Sequence, residues 1–341
     1  MFVEMGITAA GNKSTPARSW RQALRTAIRD AHTLCSRLGL DPASLDLAAD
    51  AAGQFPVFVP EEFLARMEPG NPADPLLRQV LPLVAEDVPQ PGFESDPLHE
   101  AAAAVVPGLL HKYHGRALLI VTGVCAVHCR YCFRRHFPYA EVPTGRGAWQ
   151  PALEALAADP SIEEVLLSGG DPLMVADEAL EGLVAGLAAI PHLKRLRVHT
   201  RLPIMIPQRV TGRLLSWLSD SRLQSIVVLH ANHPAELDGS VAVAAARLKA
   251  AGVLLFNQAV LLRGVNDNVD TLAQLSLRLI ELGVVPYYLH QLDRVAGAAH
   301  FEVPLDEGRN LVEQLRTRLP GYALPRYVQE RPGEPSKSPL A

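Results

Sequence analysis

VTGVCAVHCRYCFRRHFP, residues Val121 to Pro138, holds three of the chain's four cysteines, Cys125, Cys129 and Cys132, in a C-x3-C-x2-C spacing. The preceding residues, Ala117 to Thr122 (ALLIVT), read as a short buried strand, so the thiols sit where a strand has ended and a helix has not begun. In a βα protein that end of the strand is where chemistry collects. Soft thiolates select zinc, copper or iron–sulfur clusters, and a loop that supplies only three ligands leaves one metal position for another group. The rival reading is a structural zinc site completed by His128 or His136. Structural zinc prefers two separated ligand pairs, and the sequence offers no second pair. Cys35 lies far away in a predicted helix and reads as a small buried apolar residue.

Working outward, apolar runs alternate with amphipathic ones from Leu110 onward. Strand candidates are Ala117–Thr122, Glu164–Ser168, Leu196–Thr200, Ser225–His230, Val253–Gln258 and Val284–His290. Helical stretches between them include Asp177–Ala189, Pro207–Leu218, Ser240–Ala251 and Val269–Leu282. The alternation predicts an α/β fold with parallel βα units, an open or partial barrel of about six. Each predicted strand ends in polar or glycine residues. These are Cys125, then Ser168-Gly169-Gly170-Asp171, His199 to Arg201, His230 with Asn232, Asn257 with Gln258, and His290 to Asp293. All would gather on one rim. The glycines after Ser168 would leave backbone N–H groups free to approach a ligand.

Ahead of this barrel, residues 1–97 read as a mostly helical cap or oligomer contact. Helical patterns run from Thr15 to about Ala51, with Gly39 as a C-cap, and a helix begins after Pro60. Proline and glycine from Pro82 to Pro97 suggest an extended linker over a surface. The barrel is assigned to residues 98–320 and a tail to 321–341. By composition the tail, GYALPRYVQERPGEPSKSPLA, is loop-like.

The chain has 341 residues, 48% of them hydrophobic, enough for a large core. A net charge of −4 and a pI near 6.3 provide no global field for nucleic acid or an anionic membrane, so neither is an expected partner. The cluster Arg130, Arg134, Arg135 and His136 therefore reads as a pocket for small anions. Four cysteines, three in one loop, argue against a disulfide scaffold and for a reducing compartment. The start carries Glu4 and no apolar stretch like that of a secretory signal, and no apolar run reaches the roughly 18 residues of a membrane helix. A cytoplasmic protein is expected.

The cysteine spacing, with Tyr131 just before the last thiol, resembles the radical S-adenosylmethionine (SAM) superfamily. The continuation Arg130-Tyr131-Cys132-Phe133-Arg134-Arg135-His136-Phe137, with the tail, resembles the lysine 2,3-aminomutase family. The resemblance implies a [4Fe–4S] cluster on Cys125, Cys129 and Cys132, with SAM on its fourth iron. It implies SAM contacts from Ser168, Gly169, Gly170, His230 and Gln258. Lys337, in PGEPSKSPL, would form the Schiff base with pyridoxal 5′-phosphate (PLP), and Tyr113 and Arg116 would lie near the PLP phosphate. For that, Lys337 must lose its proton, which a desolvated, cation-rich pocket would favour. Arg134 would grip the carboxylate of L-lysine, and Asp293 and Glu330 its distal ammonium. Glu330 stands where the lysine-degrading members carry aspartate, and the chain stops at Ala341 without their zinc-binding extension. Both departures resemble the shorter branch that makes (R)-β-lysine for elongation factor P. An electron donor of the flavodoxin or ferredoxin type, the elongation factor with its modifying ligase, and a homo-oligomeric state follow as expectations. Two alternatives remain at this stage: an aminomutase for another amino acid, and a non-enzymatic zinc-binding module.

Overall fold

The computed structural model describes residues 18–48, 55–143 and 147–341. The readings that fall on Glu4, on residues 15–17 and on residues 49–51 lie outside the described residues.

Ten strands form one sheet in sequence order: β1 (Ala104–Val106), β2 (Leu109–Tyr113), β3 (Arg116–Thr122), β4 (Glu164–Gly169), β5 (Arg195–Thr200), β6 (Gln224–Leu229), β7 (Leu254–Val260), β8 (Val285–His290), β9 (Arg326–Gln329) and β10 (Ser338–Pro339). Strands β3 to β9 run parallel. The pairs β1–β2, β2–β3 and β9–β10 are antiparallel. The six expected strands are β3 to β8, and β1 and β10 stand at opposite edges, so the sheet is a partial barrel. The hairpin in front of β3 and the two strands of the tail are additions. The tail is folded: Tyr327 and Val328 are buried in β9, and the Leu340 N–H donates to the Tyr327 carbonyl at 2.9 Å.

The helix Val269–Glu281 shows how sequence produces the outer layer. The Asn268 side chain caps it by accepting from the Thr271 N–H at 2.8 Å, and Asp270 lies in its first turn, where the helix dipole favours a carboxylate. Leu272, Leu275 and Leu279 recur at helical spacing and are buried. Each contributes about 2 kcal/mol by the area it removes from water. Gly283, at φ +73°, ends the element in the left-handed conformation that glycine tolerates. The expected helix Pro207–Leu218 begins later, at Gly212, because Thr211 caps Leu214 N–H and Pro207–Arg209 forms a separate turn.

The expected N-terminal helical run is broken. Trp20–Arg25 begins at a Ser19/Gln22 capping box and Ala31–Arg37 at the Asp30 cap, with Gly39 following at φ +69° as expected. Leu45 to Ala48 are not helical. These residues belong to the same apolar core as the barrel, which runs from Trp20 to Leu340 and includes Cys35, fully buried. Arg66 reaches across to Asp238 at 3.0 Å and to the Ile204 carbonyl at 2.6 Å. The stretch Pro82 to Pro97 is not simply a surface linker, because Glu86 within it is buried against two arginines. Among the described residues no helix is long and apolar enough to cross a membrane.

Candidate active site

The C-terminal ends of the strands open into one cavity of about 830 Å³, near the top of the range of about 300–1,000 Å³ that ligand sites occupy. Cys125, Cys129, Cys132, Arg134, Ser168, Gly169, Gly170, His230, Gln258, Tyr113, Arg116, Asp293, Glu330 and Lys337 all line it. Of the other rim residues, Asn257 and Asn232 are consumed internally. Asn257 exchanges hydrogen bonds with the Ala231 backbone at 2.9 and 3.0 Å, and Asn232 donates to the Tyr131 hydroxyl at 2.6 Å.

Burial and the neighbouring Cys132 push the Cys125 thiol up, and burial and Cys129 push Cys132 up to about 11. Three crowded sulfurs of this kind give up their protons to a cationic centre. Among the described residues no three ligating side chains close around a single metal ion. An iron–sulfur cluster spreads its thiolates over separate irons, so the three cysteines of one loop need not converge on a single ion to hold it. Neither histidine considered for zinc completes a site. His128 Nδ1 lies 2.6 Å from the Pro56 carbonyl with its ring stacked on Phe55, and His136 Nε2 lies 3.1 Å from the Ala296 carbonyl.

Beneath the loop, Arg201 donates to Cys129 Sγ at 2.7 Å, to Gln79 at 2.7 Å and to the buried Glu236 at 2.9 Å. The Ser168-Gly169-Gly170 turn differs from expectation. The Gly170 N–H donates to the Thr122 carbonyl at 2.8 Å and the Asp171 N–H to the Val124 carbonyl at 2.9 Å, so these amides clasp the cysteine strand instead of awaiting a ligand. A Cβ on Gly169 would stand 2.4 Å from the Thr122 oxygen. Close backbone approach is what the glycines serve. Asp171 then ties this turn to the next, accepting from the Arg201 and Leu202 N–H groups and the Thr200 hydroxyl.

His230 Nε2 and Gln258 Nε2 lie 3.0 Å apart. Burial, with Arg201 and Arg134 nearby, lowers the imidazole to about 3, so His230 is neutral at ordinary pH. Its Nε2 then accepts from the amide and Nδ1 carries the proton.

The arginine cluster is not an anion pocket as a whole. Glu86 takes Arg130 at 2.6 Å and Arg135 at 2.8 Å, and Glu100 takes Arg134 through Nε at 2.6 Å and Nη2 at 2.8 Å. Only Arg134 of the three lines the cavity, with Nη1 donating to Ser168 Oγ at 2.9 Å.

At the opposite side, the Lys337 ammonium is paired with Glu330, whose other oxygen accepts from Lys112 at 3.0 Å. The expected cation-rich setting is thus mixed: cations line the same wall, but the direct partner of Lys337 is a carboxylate. Burial raises the Glu330 carboxyl, but Lys337 and Lys112 outweigh it and hold the group at about 2. Among the described residues Asp293 forms no ion pair; burial and the Glu330 charge outweigh the Lys337 and Lys112 charges and push it up to about 7. Arg116 lies over the Tyr113 ring at 4.6 Å, and Arg326 adds a further cation to this wall. The donors fit the groups the sequence implied: sulfurs for iron, and an amine beside cations for an aldehyde phosphate. Sequence reasoning missed Glu100, Lys112 and Glu86, since no motif marks a pairing between residues 34 to 218 positions apart.

A partial α/β barrel whose first parallel strand delivers a three-cysteine loop to such a cavity defines a radical SAM enzyme. No family model matches the chain. L-lysine 2,3-aminomutase of Escherichia coli is 52% identical over 329 residues, spanning 96% of each chain. The Haemophilus influenzae protein of the same name is 46% identical, spanning 94% of this chain and 95% of its own. Among solved structures, a radical SAM methyltransferase from Sphaerobacter thermophilus aligns at 18% identity with a TM-score of 0.44, covering 64% of this chain and 68% of its own. The chain belongs to the L-lysine 2,3-aminomutase family, a family of isomerases that use a [4Fe–4S] cluster, SAM and PLP.

Proposed function

We propose that the chain converts L-α-lysine to (R)-β-lysine, and that the product serves the modification of elongation factor P. The observation that carries this is a single cavity lined by three thiols and by a lysine paired with Glu330, with the Asp293 carboxyl in the same lining. When bound, the cluster with SAM supplies a carbon-centred radical, and PLP supplies a carbonyl that takes up an amine.

The chain's own residues do the rest. Cys125, Cys129 and Cys132 would hold the iron, while neutral His230 and Gln258, with Ser168, Gly169 and Gly170, would contact SAM. Lys337 would anchor PLP, and Tyr113 and Arg116 would receive its phosphate. Arg134 receives the substrate carboxylate in a fork of N–H donors. The Lys337 ammonium sits beside Glu330 as the substrate's distal ammonium would once Lys337 is engaged elsewhere, with Asp293 as the second carboxylate. An apolar competitor would leave those acids buried and unpaired, which gives the pocket its selectivity. Leu98, Leu110, Met205 and Ile226 in the lining keep water from the reacting atoms.

An electron donor of the flavodoxin or ferredoxin type, a cytoplasmic setting and a homo-oligomeric state complete the proposal. The test is anaerobic incubation of the reconstituted protein with lysine, glutamate or arginine, followed by chiral analysis. Formation of (R)-β-lysine from lysine alone is expected; turnover of arginine or glutamate in its place refutes the substrate assignment.

A further inference from the structure

We infer that Glu100 is a positioning residue that fixes which N–H groups Arg134 offers to the substrate carboxylate. This rests on the reading of Arg134 as the carboxylate anchor. A guanidinium carries five N–H donors. Glu100 occupies two of them, Nε at 2.6 Å and one on Nη2 at 2.8 Å, and Ser168 Oγ takes one on Nη1 at 2.9 Å. One N–H on each terminal nitrogen remains, the number a carboxylate needs for a two-point grip. Without Glu100 the guanidinium plane could turn about its long side chain, and the fork would no longer be set in advance.

Glu100 is itself held firmly. Its side chain is only 3% exposed, and its N–H donates to Asp96 Oδ1 at 3.1 Å. It follows His99, at φ +47° the sole non-glycine residue of positive φ among the described residues. Backbone strain of this kind persists only where the surroundings enforce it. A buried ion pair does little for stability compared with apolar packing, so a pairing kept in a cavity wall is better explained by geometry.

Glu100 also joins the two ends of the pocket. Lys112 lies 3.2 Å from Glu100 and 3.0 Å from Glu330, so Arg134, Glu100, Lys112, Glu330 and Lys337 form a row of alternating charge. The carboxylate anchor and the ammonium acceptor are thereby held at a set spacing, which selects an amino acid with a distal ammonium at lysine's reach.

The experiment uses the reconstituted holoenzyme. KM and kcat for lysine are compared in wild type, Glu100→Gln and Glu100→Asp, alongside inhibition by 1,5-diaminopentane, which keeps the amines and lacks the carboxylate. Glu100→Gln is expected to raise KM for lysine about tenfold with kcat within about twofold, and to leave inhibition by the diamine unchanged. Glu100→Asp should fall between, and it supplies the same comparison if the Gln variant does not fold. Equal losses for lysine and the diamine, or an unchanged KM, overturn the inference. Arg134→Gln separates the two readings. If it leaves KM for lysine unchanged, the anchor assignment itself fails; if it raises KM while the Glu100 variants do not, only the positioning role fails.

Discussion

Replacing Asp293 by Asn keeps the size of the side chain and removes the one carboxylate of the ammonium site that forms no ion pair among the described residues. Asp293 lines the cavity half-buried, and burial with the Glu330 charge lifts it from 3.8 to about 7. Losing one member of a buried, hydrogen-bonded charge pair costs about 3 kcal/mol, which is on the order of a hundredfold in lysine affinity. The pH dependence gives a second handle. Below about pH 7 the wild-type acid is protonated, and a bound ammonium must displace that proton, so lysine affinity falls as pH drops. The Asn variant should lose this slope, and Glu330→Gln should move the inflection to lower pH by removing the charge that raises Asp293. Lysine Kd by calorimetry on the PLP- and SAM-loaded protein, between pH 6 and pH 9 (about neutrality to either side), reads both effects. An Asn variant that binds lysine as tightly as wild type with the same pH profile would refute the assignment.

Other expectations concern the anchors and the frame. Lys337→Ala should abolish the absorbance of lysine-bound PLP while iron and sulfide content stay at wild-type levels; an unchanged spectrum shows that the tail assignment is wrong. Gly169→Ala forces a Cβ to within 2.4 Å of the Thr122 oxygen at φ +121°. It should cost about 3 kcal/mol, lower the melting temperature on the order of 5 °C and reduce iron occupancy. Arg201→Met strands the buried Glu236 carboxylate and should destabilise by about 3–5 kcal/mol, with part of the loss recovered when Glu236→Gln is added. In acid the two pocket carboxylates act in opposite directions. Glu330, lowered from 4.5 to about 2, contributes stability that is present above pH 4.5 and lost as pH falls through about 2. Asp293, raised, favours the folded state at low pH and loses that contribution as pH climbs from about 4 to about 7. Thermal melts of Glu330→Gln and Asp293→Asn across that range should therefore tilt oppositely.

The parallel core of the sheet was legible because each strand is an apolar run closed by polar or glycine residues, a pattern that survives without any tertiary information. The cysteine loop was legible for the same local reason. The hairpin before β3 was hidden by the polar His111, Lys112 and Tyr113, of which the last two line the cavity and the first lies beside Asp159. Strand β9 was hidden by the prolines and charges around Tyr327 and Val328. Long-range pairings left no trace in the sequence: Glu86 with Arg130, Glu100 with Arg134, and Lys112 with Glu330 each join residues whose spacing is fixed only by the fold. The glycine turn after Ser168 was misread because a residue without a Cβ serves a ligand or a neighbouring backbone equally well, and here the neighbour is the cysteine strand.

The proposed chemistry requires the thiol wall and the lysine wall to act on one molecule of substrate. Lysine carrying deuterium on its β-carbon, turned over anaerobically by the reconstituted protein with SAM, PLP and a reductant, tests that directly by mass spectrometry of the 5′-deoxyadenosine formed. Deuterium in the deoxyadenosine together with β-lysine is the expected result. Cleavage of SAM that leaves the nucleoside unlabelled and the amino group unmoved would contradict it.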